Sequence, residues 1–363
     1  MSSSPATHTA TQIPSPKANL VLTTVTTASP DPYELLIKNA CIATCPIDWK
    51  QQAFDVRIPS YPTTLGSDIS GTVISIGSSV TRFRPGDRIT AFAPLFLTRK
   101  AANGAFQEYT LATEDYTAHI PDNISFEDAA TLPMAIATAG TAIFHNMGLP
   151  RPPLSEHLVQ ENAKTSFLVW GAASSVGSVA VQIARSLNFH VLATASPKHH
   201  AYIKSLGAAE VFDYRSETVV ADLVAAGADA PIRYGFDAIS EKGTTESSST
   251  VLVKSMGDKG GAKISLLLLS PDNTVAEGVE VTTPGAGPDL KAFGEFRKWL
   301  FPKWLEGVLK DGTIVPSPEV QIVEGGLGGL QKALDLHRSG VSGKKLVVKV
   351  GEGEDSSTQR GNL

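Results

Sequence analysis

The sequence predicts an α/β protein built on a doubly wound parallel sheet that binds a nucleotide. An apolar run at residues 167–170 is typical of a buried strand, and a turn of small residues follows it. A helix with one apolar face begins near Val176, and strands and helices continue to alternate downstream. In a sheet of this kind the nucleotide binds outside the carboxyl ends of the strands.

The turn between this strand and helix carries a degenerate form of the glycine fingerprint for phosphate binding. Gly177 is present, but Ser174 stands where the middle glycine is usual. A small-residue turn that opens a helix presents free backbone N–H groups and the positive helix end to a phosphate. By itself the turn is weak evidence, and an ordinary strand-to-helix connection stays open as the alternative.

Four further strands are predicted after this helix, which completes the parallel sheet. Between the first two of them, Ser196 and Pro197 supply the N-cap and the first-turn proline of a helix that ends at Gly207. The four strands are predicted at 190–194, 210–213, 236–239 and 263–269.

The residues before this region have a different pattern. Short β-like runs separated by glycine and proline turns predict a small, mostly antiparallel β-barrel-like unit. A helical stretch at 290–309 contains Pro302, which is expected to kink or break it. A last strand at 345–350 is expected to rejoin the first unit. The early β-like runs are 34–38, 69–76, 88–92 and 107–112.

Composition limits the possible functions. A chain of 363 residues is long enough for two domains, and its net charge of -5 argues against a nucleic-acid partner. The sequence has no run of about 18 apolar residues, so no membrane span is predicted. Residues 1–17 lack the pattern of a secretory signal. The two cysteines, Cys41 and Cys45, fit a reducing compartment, so a cytoplasmic protein is expected.

Several short blocks together resemble the medium-chain dehydrogenase/reductase superfamily, over nearly the whole chain. The chain is most similar to the zinc-independent fungal branch, which holds trans-acting enoyl reductases of polyketide pathways and GroES-like reductases related to quinone oxidoreductases. The block at 340–347 also fits that branch. The matching blocks are 45–50, 65–73, 83–88, 104–109, 172–177 and 205–214.

The resemblance implies a GroES-like catalytic domain of β-barrel type and a doubly wound Rossmann domain that binds NADPH. The expected segments are a flexible N-terminus at 1–17, the catalytic domain at 18–140, the Rossmann domain at 141–312, a return to the catalytic domain at 313–350 and a flexible tail at 351–363.

Zinc is not expected. Alcohol dehydrogenases of this superfamily hold a catalytic zinc through a Cys, a His and a third ligand. Cys45 matches the first position, but Ser67 stands at the position of the His, and no four-cysteine lobe lies between Phe92 and Gly104. Cys45 and Asp68 do not complete three protein ligands, so Cys45 is interpreted as a packed small side chain.

The residues after the second parallel strand favour NADPH over NADH. An NAD site places an Asp or Glu there for the ribose hydroxyls, whereas this sequence offers donors and positive charge suited to a phosphate. The resemblance implies that Ser196, Lys198 and Tyr214 hold the 2′-phosphate. The alternative is a solvated helix start with incidental basic residues. The donors in sequence order are Ser196, Lys198, His199, His200, Tyr214 and Arg215.

Other site residues follow only from the resemblance. It implies that Pro46, Asp48, Trp49 and Lys50 line the nicotinamide side, and that Lys50 and Thr138 are candidate catalytic donors. The remaining implied cofactor contacts are Ala173, Ser174, Ser175 and Val176 in the pyrophosphate loop, Leu267 and Leu268 beside the nicotinamide, and Lys345 and Leu346 late in the chain.

With NADPH and no metal, the expected reaction is reduction of a C=C bond conjugated to a carbonyl, on a small molecule or a carrier-bound polyketide. Residues 131–144 and the loop 283–288, made mobile by Gly285 and Gly287, are expected to flank the substrate pocket. A monomer or homodimer is expected. Three alternatives stay open: a quinone reductase, a zinc alcohol dehydrogenase, and a non-redox protein such as a cyclase that kept the fold.

Overall fold

A computed structural model of the chain describes residues 4–93, 95–241, 243–269 and 273–350. The strands are β1 (Thr7–Ile13), β2 (Val21–Thr26), β3 (Glu34–Ala43), β4 (Thr63–Thr64), β5 (Asp68–Ile76), β6 (Arg88–Phe92), β7 (Tyr109–Thr113), β8 (Thr117–His119), β9 (Ser166–Trp170), β10 (His190–Thr194), β11 (Glu210–Phe212), β12 (Ile232–Asp237), β13 (Ala262–Leu266), β14 (Val279–Thr282), β15 (Glu319–Ile322) and β16 (Lys344–Lys349).

The α-helices are α1 (Pro46–Phe54), α2 (Leu95–Thr98), α3 (Phe126–Ala129), α4 (Pro133–Gly140), α5 (Glu156–Ala163), α6 (Ser175–Ser186), α7 (His200–Ser205), α8 (Val219–Ala226), α9 (Thr244–Met256), α10 (Leu290–Trp299), α11 (Glu306–Lys310) and α12 (Leu330–Ser339). Within the described ranges, no helix is long and apolar enough to cross a membrane. The chain divides into two compact units.

Unit 1 comprises the described residues of Met1–Met134, Arg297–Lys310 and Glu319–Leu363. Its main sheet has the strand order β15-β16-β3-β5-β6-β8, and β7 pairs with the other part of β3. All of these pairs are antiparallel except β15 with β16. The predicted antiparallel barrel-like unit is therefore confirmed.

Strand β3 is the centre of unit 1, because β5, β7 and β16 all pair with it. Most of its side chains are buried, and Ile37 and Ile42 belong to one apolar core with Leu346 and Val348 of β16. The pairing of Val347 with Ala43 confirms that the late strand rejoins the first unit.

Unit 2 comprises Ala135–Phe296 and Asp311–Pro318. Its six strands are all parallel, in the order β11-β10-β9-β12-β13-β14. The chain starts in the middle at β9, builds outward to β11, and then returns to build the other half. This order confirms the predicted doubly wound sheet and puts its switch point between β9 and β12.

The N-terminal segment predicted to be flexible contains a strand, so that prediction is wrong for residues 7–13. Strand β1 pairs antiparallel with β2 over six residue pairs. The signal was weak because the buried positions of β1 include the polar His8 and Thr11, so the strand lacks a clear apolar alternation. His8 is buried and hydrogen-bonds to Thr27 (2.8 Å) and Gln107 (3.1 Å). The tail predicted at 351–363 lies outside the described residues.

The segment around Pro302 also departs from the sequence-based boundary. Residues 297–310 belong to unit 1, whereas the sequence analysis placed them in the nucleotide-binding domain. The predicted interruption at Pro302 takes the form of a π-helical stretch, Leu300–Leu305, between α10 and α11. A π-helical turn accommodates a residue that cannot donate a regular helical hydrogen bond.

Glu306 joins this segment to the β-barrel. Its carboxylate accepts hydrogen bonds from Arg82 and from the ring and backbone nitrogens of His119, both at 2.9 Å. The other ring nitrogen of His119 lies 3.3 Å from Asp87 Oδ2. The hydrogen bond to Glu306 is the main cause that raises the pKa of His119. A protonated His119 therefore bridges two carboxylates.

We expect the stabilising effect of His119 to depend on pH. An unfolded histidine titrates near pH 6.5, and the folded pKa is higher. Protonated His119 therefore makes its full contribution to the unfolding free energy below about pH 6.5. This contribution is lost as the pH rises through the raised pKa of the folded state. His119→Gln should lower the unfolding free energy by up to about 1 kcal/mol in mild acid, and by less in alkali.

Chemical denaturation at several pH values measures this difference. His157→Gln is the matched control, because His157 is 78% exposed and pairs with Glu161 along its own helix. The same pH dependence in both variants would contradict the assignment.

Candidate active site

The turn between β9 and α6 explains why the fingerprint is degenerate. Ser174 is the N-cap of α6, and its Oγ accepts a hydrogen bond from the Gly177 N–H at 3.1 Å and donates one to the Gly171 carbonyl at 2.8 Å. A Cβ on Gly177 would lie 2.4 Å from the same carbonyl oxygen. Glycine is therefore required at 177, while the serine hydroxyl closes the turn at 174.

The same turn has the features of a phosphate site. The first N–H groups of α6 point out of a 12-residue helix whose N-terminus carries positive partial charge. The Ser175 hydroxyl is buried and has no hydrogen-bond partner among the described residues. An orphaned donor at this position fits a pyrophosphate oxygen. The predicted loop residues Ala173, Ser174, Ser175 and Val176 all lie here.

A polar cluster lies at the carboxyl ends of β10 and β11. The Ala195 N–H donates to the Phe212 carbonyl at 3.0 Å, which holds the two exits side by side. Ser196 Oγ lies 3.5 Å from the Tyr214 hydroxyl, and Tyr214 is 43% exposed. Lys198 and His199 belong to the 3-10 turn that follows Ser196. The structure thus brings Ser196, Lys198 and Tyr214, with the neighbouring donor His199, to one edge of the sheet.

The ends of β12 and β13 are tied together by residues that the sequence analysis did not identify. Asp237 is fully buried, and its carboxylate accepts hydrogen bonds from the N–H groups of Ile239 and Ser240 and from Thr244 Oγ1. Ser240 Oγ in turn accepts the Leu267 N–H at 2.8 Å. This network fixes the loop that carries Leu267 and Leu268. An aspartate at a strand end was the available signal.

In unit 1, helix α1 carries the residues expected on the nicotinamide side. Cys45 is its N-cap, Pro46 its first residue, and the Asp48 carboxylate accepts the Cys45 N–H at 2.7 Å. Trp49 packs partly against the core of the unit, and Lys50 Nζ lies 5.9 Å from the Trp49 ring centroid. The start of α1 is therefore closed by its own acidic side chain.

A buried charged cluster lies beside this helix end, and we call Cys45, Asp68 and Lys345 the Asp68 centre. Lys345 Nζ donates to Asp68 Oδ2 at 2.7 Å and to Cys45 Sγ at 3.0 Å. The Cys45 thiol donates to the same Oδ2 at 3.1 Å. The second oxygen, Oδ1, accepts the Met134 N–H at 2.7 Å. Both carboxylate oxygens of Asp68 are therefore satisfied.

Burial and the ion pair decide the protonation states in the Asp68 centre. Burial opposes the charge on Lys345, but Asp68 outweighs it and raises the pKa of the lysine. Burial, reinforced by Asp68, raises the pKa of the Cys45 thiol well above its usual value. At neutral pH Lys345 is thus an ammonium, paired with Asp68, beside an un-ionised Cys45 thiol.

Two neighbouring groups are also perturbed. Burial raises the pKa of Asp48 to about 7, and its Oδ1 is buried without a hydrogen-bond partner among the described residues. Burial, together with the Lys345 charge, lowers the pKa of His337 to about 4. His337 is therefore neutral, and its Nε2 lies 3.0 Å from the Thr44 carbonyl.

The remaining predicted site residues have clear positions. Lys345 and Leu346 are 2% and 0% exposed, and the Lys345 ammonium is directed into the Asp68 centre. Thr138 is half-buried on α4 in unit 2. The loop at 283–288 is held by hydrogen bonds from Asn146 to the Gly285 carbonyl (3.1 Å) and from His145 to the Ala286 carbonyl (3.2 Å).

No group of three or more metal-ligating side chains occurs in the part of the chain that the structure describes. In the Asp68 centre, an ammonium nitrogen contacts both the thiol and the carboxylate, which also contact each other. The sequence signal for this pair was a lysine directly before the apolar run 346–348, and the sequence alone indicated only a cofactor contact there.

Comparisons with known proteins agree with this geometry. Residues 31–122 match the family model of the alcohol dehydrogenase GroES-like domain. The chain is 35% identical to the trans-enoyl reductase tndF of Aspergillus flavipes over 347 residues, covering 94% of this chain and 98% of that protein. It is 42% identical over 224 residues to the trans-enoyl reductase tazE of Aspergillus terreus, covering 60% and 72%.

A solved structure, that of the CurK enoyl reductase, shares the fold. The TM-score is 0.72 at 17% identity, and the match covers 95% of this chain and 100% of that chain.

We expect the Asp68–Lys345 pair to behave as a buried ion pair. Lys345→Met leaves Asp68 without its cation and should lower the unfolding free energy by about 3–5 kcal/mol. The double variant Asp68→Asn/Lys345→Met removes both charges, keeps an acceptor for the Met134 N–H, and should recover most of that loss. Chemical denaturation measures both effects.

Lys344→Met is the matched control, because Lys344 is more exposed and pairs with Glu319 near the surface. Its cost should not exceed about 1 kcal/mol. If Lys345→Met lowers the unfolding free energy by no more than Lys344→Met does, Asp68 and Lys345 do not behave as a buried ion pair.

Proposed function

The chain belongs to the medium-chain dehydrogenase/reductase superfamily, alongside fungal trans-enoyl reductases, and on that premise we propose that it is an NADPH-dependent, zinc-independent reductase of a conjugated C=C bond. The observation that carries the proposal is the Lys345 ammonium, which contacts both Cys45 Sγ and Asp68 Oδ2. An internal cation there supports chemistry in which no metal polarises an alcohol or a carbonyl.

The cofactor proposal rests on unit 2. The start of α6, with the orphaned Ser175 hydroxyl, would hold the pyrophosphate. Ser196, Lys198 and Tyr214 would bind the 2′-phosphate, because they offer hydroxyl donors and a positive charge at the ends of β10 and β11. When bound, the reduced nicotinamide supplies a hydride.

The substrate proposal is a molecule with a C=C bond conjugated to a carbonyl, either free or carrier-bound, in fungal secondary metabolism. Reduction at the β-carbon leaves negative charge on the carbonyl oxygen, and a positioned donor stabilises it. Lys50 and Thr138 are the proposed donors. The α-carbon then takes a proton, and water is a sufficient source.

The zinc alcohol dehydrogenase alternative is separated by elemental analysis of the purified protein. One zinc per chain, removed by chelators together with the activity, would favour the alternative.

The cytoplasmic location is proposed from the chemistry of the thiols, since Cys41 and Cys45 are both buried and not joined in a disulfide.

NADPH should bind at least about tenfold more tightly than NADH, which corresponds to about 1.4 kcal/mol. Lys198→Ala should erase most of that difference, because it removes a positive charge beside the 2′-phosphate. Isothermal titration calorimetry of both cofactors measures the effect. Lys204→Ala, an exposed lysine on α7, is the control and should leave the ratio unchanged. Equal affinities in the unmodified protein would refute the NADPH assignment.

The enzyme should reduce the conjugated C=C bond and leave the adjacent C=O intact. With C4-deuterated NADPH, deuterium should appear at the β-carbon, and solvent deuterium at the α-carbon, as read by NMR of the product. Lys50→Ala should lower turnover by about a hundredfold with little change in NADPH affinity, since it removes a donor to the developing charge.

Lys17→Ala is the control for a general effect of removing a lysine. Deuterium on a carbinol carbon would show carbonyl reduction and end the enoyl-reductase proposal.

A further inference from the structure

We propose that Arg215 is a further specificity-determining residue that binds the 2′-phosphate of NADPH, and that Asp213 competes with the phosphate for it. The inference rests on the proposed function, because it assumes that NADPH is the cofactor. Arg215 is among the donors that the sequence offers a phosphate. The inference gives it a definite role in the site and adds a carboxylate, Asp213, that limits the affinity of that site.

The sheet places both residues beside the predicted phosphate site. Strands β10 and β11 are parallel neighbours, with Thr194 opposite Phe212. The chain continues from β10 through Ala195 to Ser196 and from β11 to Asp213. The contact between Ser196 Oγ and the Tyr214 hydroxyl bridges these two segments. Residues 213–215 therefore form one wall of the cluster that contains Ser196.

Arg215 is held by Asp213 in a two-pronged ion pair. Its Nε lies 3.1 Å from Oδ1 and its terminal nitrogen lies 3.2 Å from Oδ2 of the carboxylate. The Arg215 backbone N–H also donates to Oδ1, at 3.1 Å. The guanidinium carbon lies 5.5 Å from the Tyr214 ring centroid. The planar donor group is thus pre-oriented beside a residue that the phosphate site already uses.

The Arg215–Asp213 ion pair is exposed, so little free energy is lost when Arg215 exchanges Asp213 for another partner. The side chains of Arg215 and Asp213 are 58% and 29% exposed, and ion pairs in this setting contribute little net free energy. A phosphate group offers more negative charge than one carboxylate and accepts the same bidentate hydrogen bonds. The guanidinium therefore gains by turning from Asp213 to the phosphate.

Asp213 remains next to the site after that exchange. Its carboxylate repels the phosphate and competes for the guanidinium, so it holds the NADPH affinity below the value that the two cations would otherwise give. NADH has no 2′-phosphate and does not experience either effect. Arg215 and Asp213 should therefore change NADPH binding in opposite directions, with NADH unaffected.

The experiment is calorimetric titration with NADPH, NADH, 2′,5′-ADP and 5′-AMP. The last two probes differ only in the 2′-phosphate and need no turnover. Arg215→Gln should weaken NADPH and 2′,5′-ADP by about tenfold, with NADH and 5′-AMP unchanged. Asp213→Asn should tighten NADPH and 2′,5′-ADP several-fold. Arg233→Gln is the matched control, because Arg233 lies 5.5 Å from the Tyr234 ring in the same unit.

Three results would overturn the inference. Unchanged NADPH affinity in Arg215→Gln would remove Arg215 from the site. Equal losses for NADPH and NADH would assign it to the adenine ring instead. Weaker NADPH binding in Asp213→Asn would show that Asp213 only orients Arg215. In each case, a Lys198→Ala variant that still abolishes cofactor discrimination leaves the NADPH proposal intact. Equal binding of NADPH and NADH by the unmodified protein would reject that proposal itself.

Discussion

The buried ion pair between Asp68 and Lys345 is the interaction on which unit 1 most depends. One carboxylate receives the lysine and the Cys45 thiol on one oxygen and the start of α4, at Met134, on the other. Three segments that are far apart in sequence thus meet at a single side chain. In a dry interior such a charge is tolerated only when every acceptor site is filled, and here both oxygens are.

The overall architecture could be predicted because its signals are local. The buried run of β9, the turn into α6 and the alternation that follows each lie within a few residues of sequence. The Asp68–Lys345 pair joins residues 277 positions apart, so no window of sequence contains it. Strand β1 escaped prediction for a related reason, since polar partners on distant segments, such as Gln107, satisfy its buried His8.

Part of the candidate site could be predicted because its signals are also local in sequence. Residues that stand just after a strand, such as Ser196 and Tyr214, could be placed at a sheet edge from the strand pattern alone. The orientation of a side chain could not. Lys345 was expected beside a cofactor, but its direction depends on the pleat of β16 and on the partner in β5. Asp237 was missed because its hydrogen bonds go to a loop whose path the sequence does not reveal.

The late position of β16 has a consequence for biosynthesis. While the ribosome is still making the Rossmann segment, Cys45 and Asp68 have already emerged, and the strand that carries their cation has not yet been made. Until β16 is made, Asp68 has no lysine partner, and burying its carboxylate is unfavourable. Contacts of such long sequence separation form slowly, and N-terminal regions fold first during synthesis. The core of unit 1 around Asp68 is therefore completed only after β16 has been synthesised.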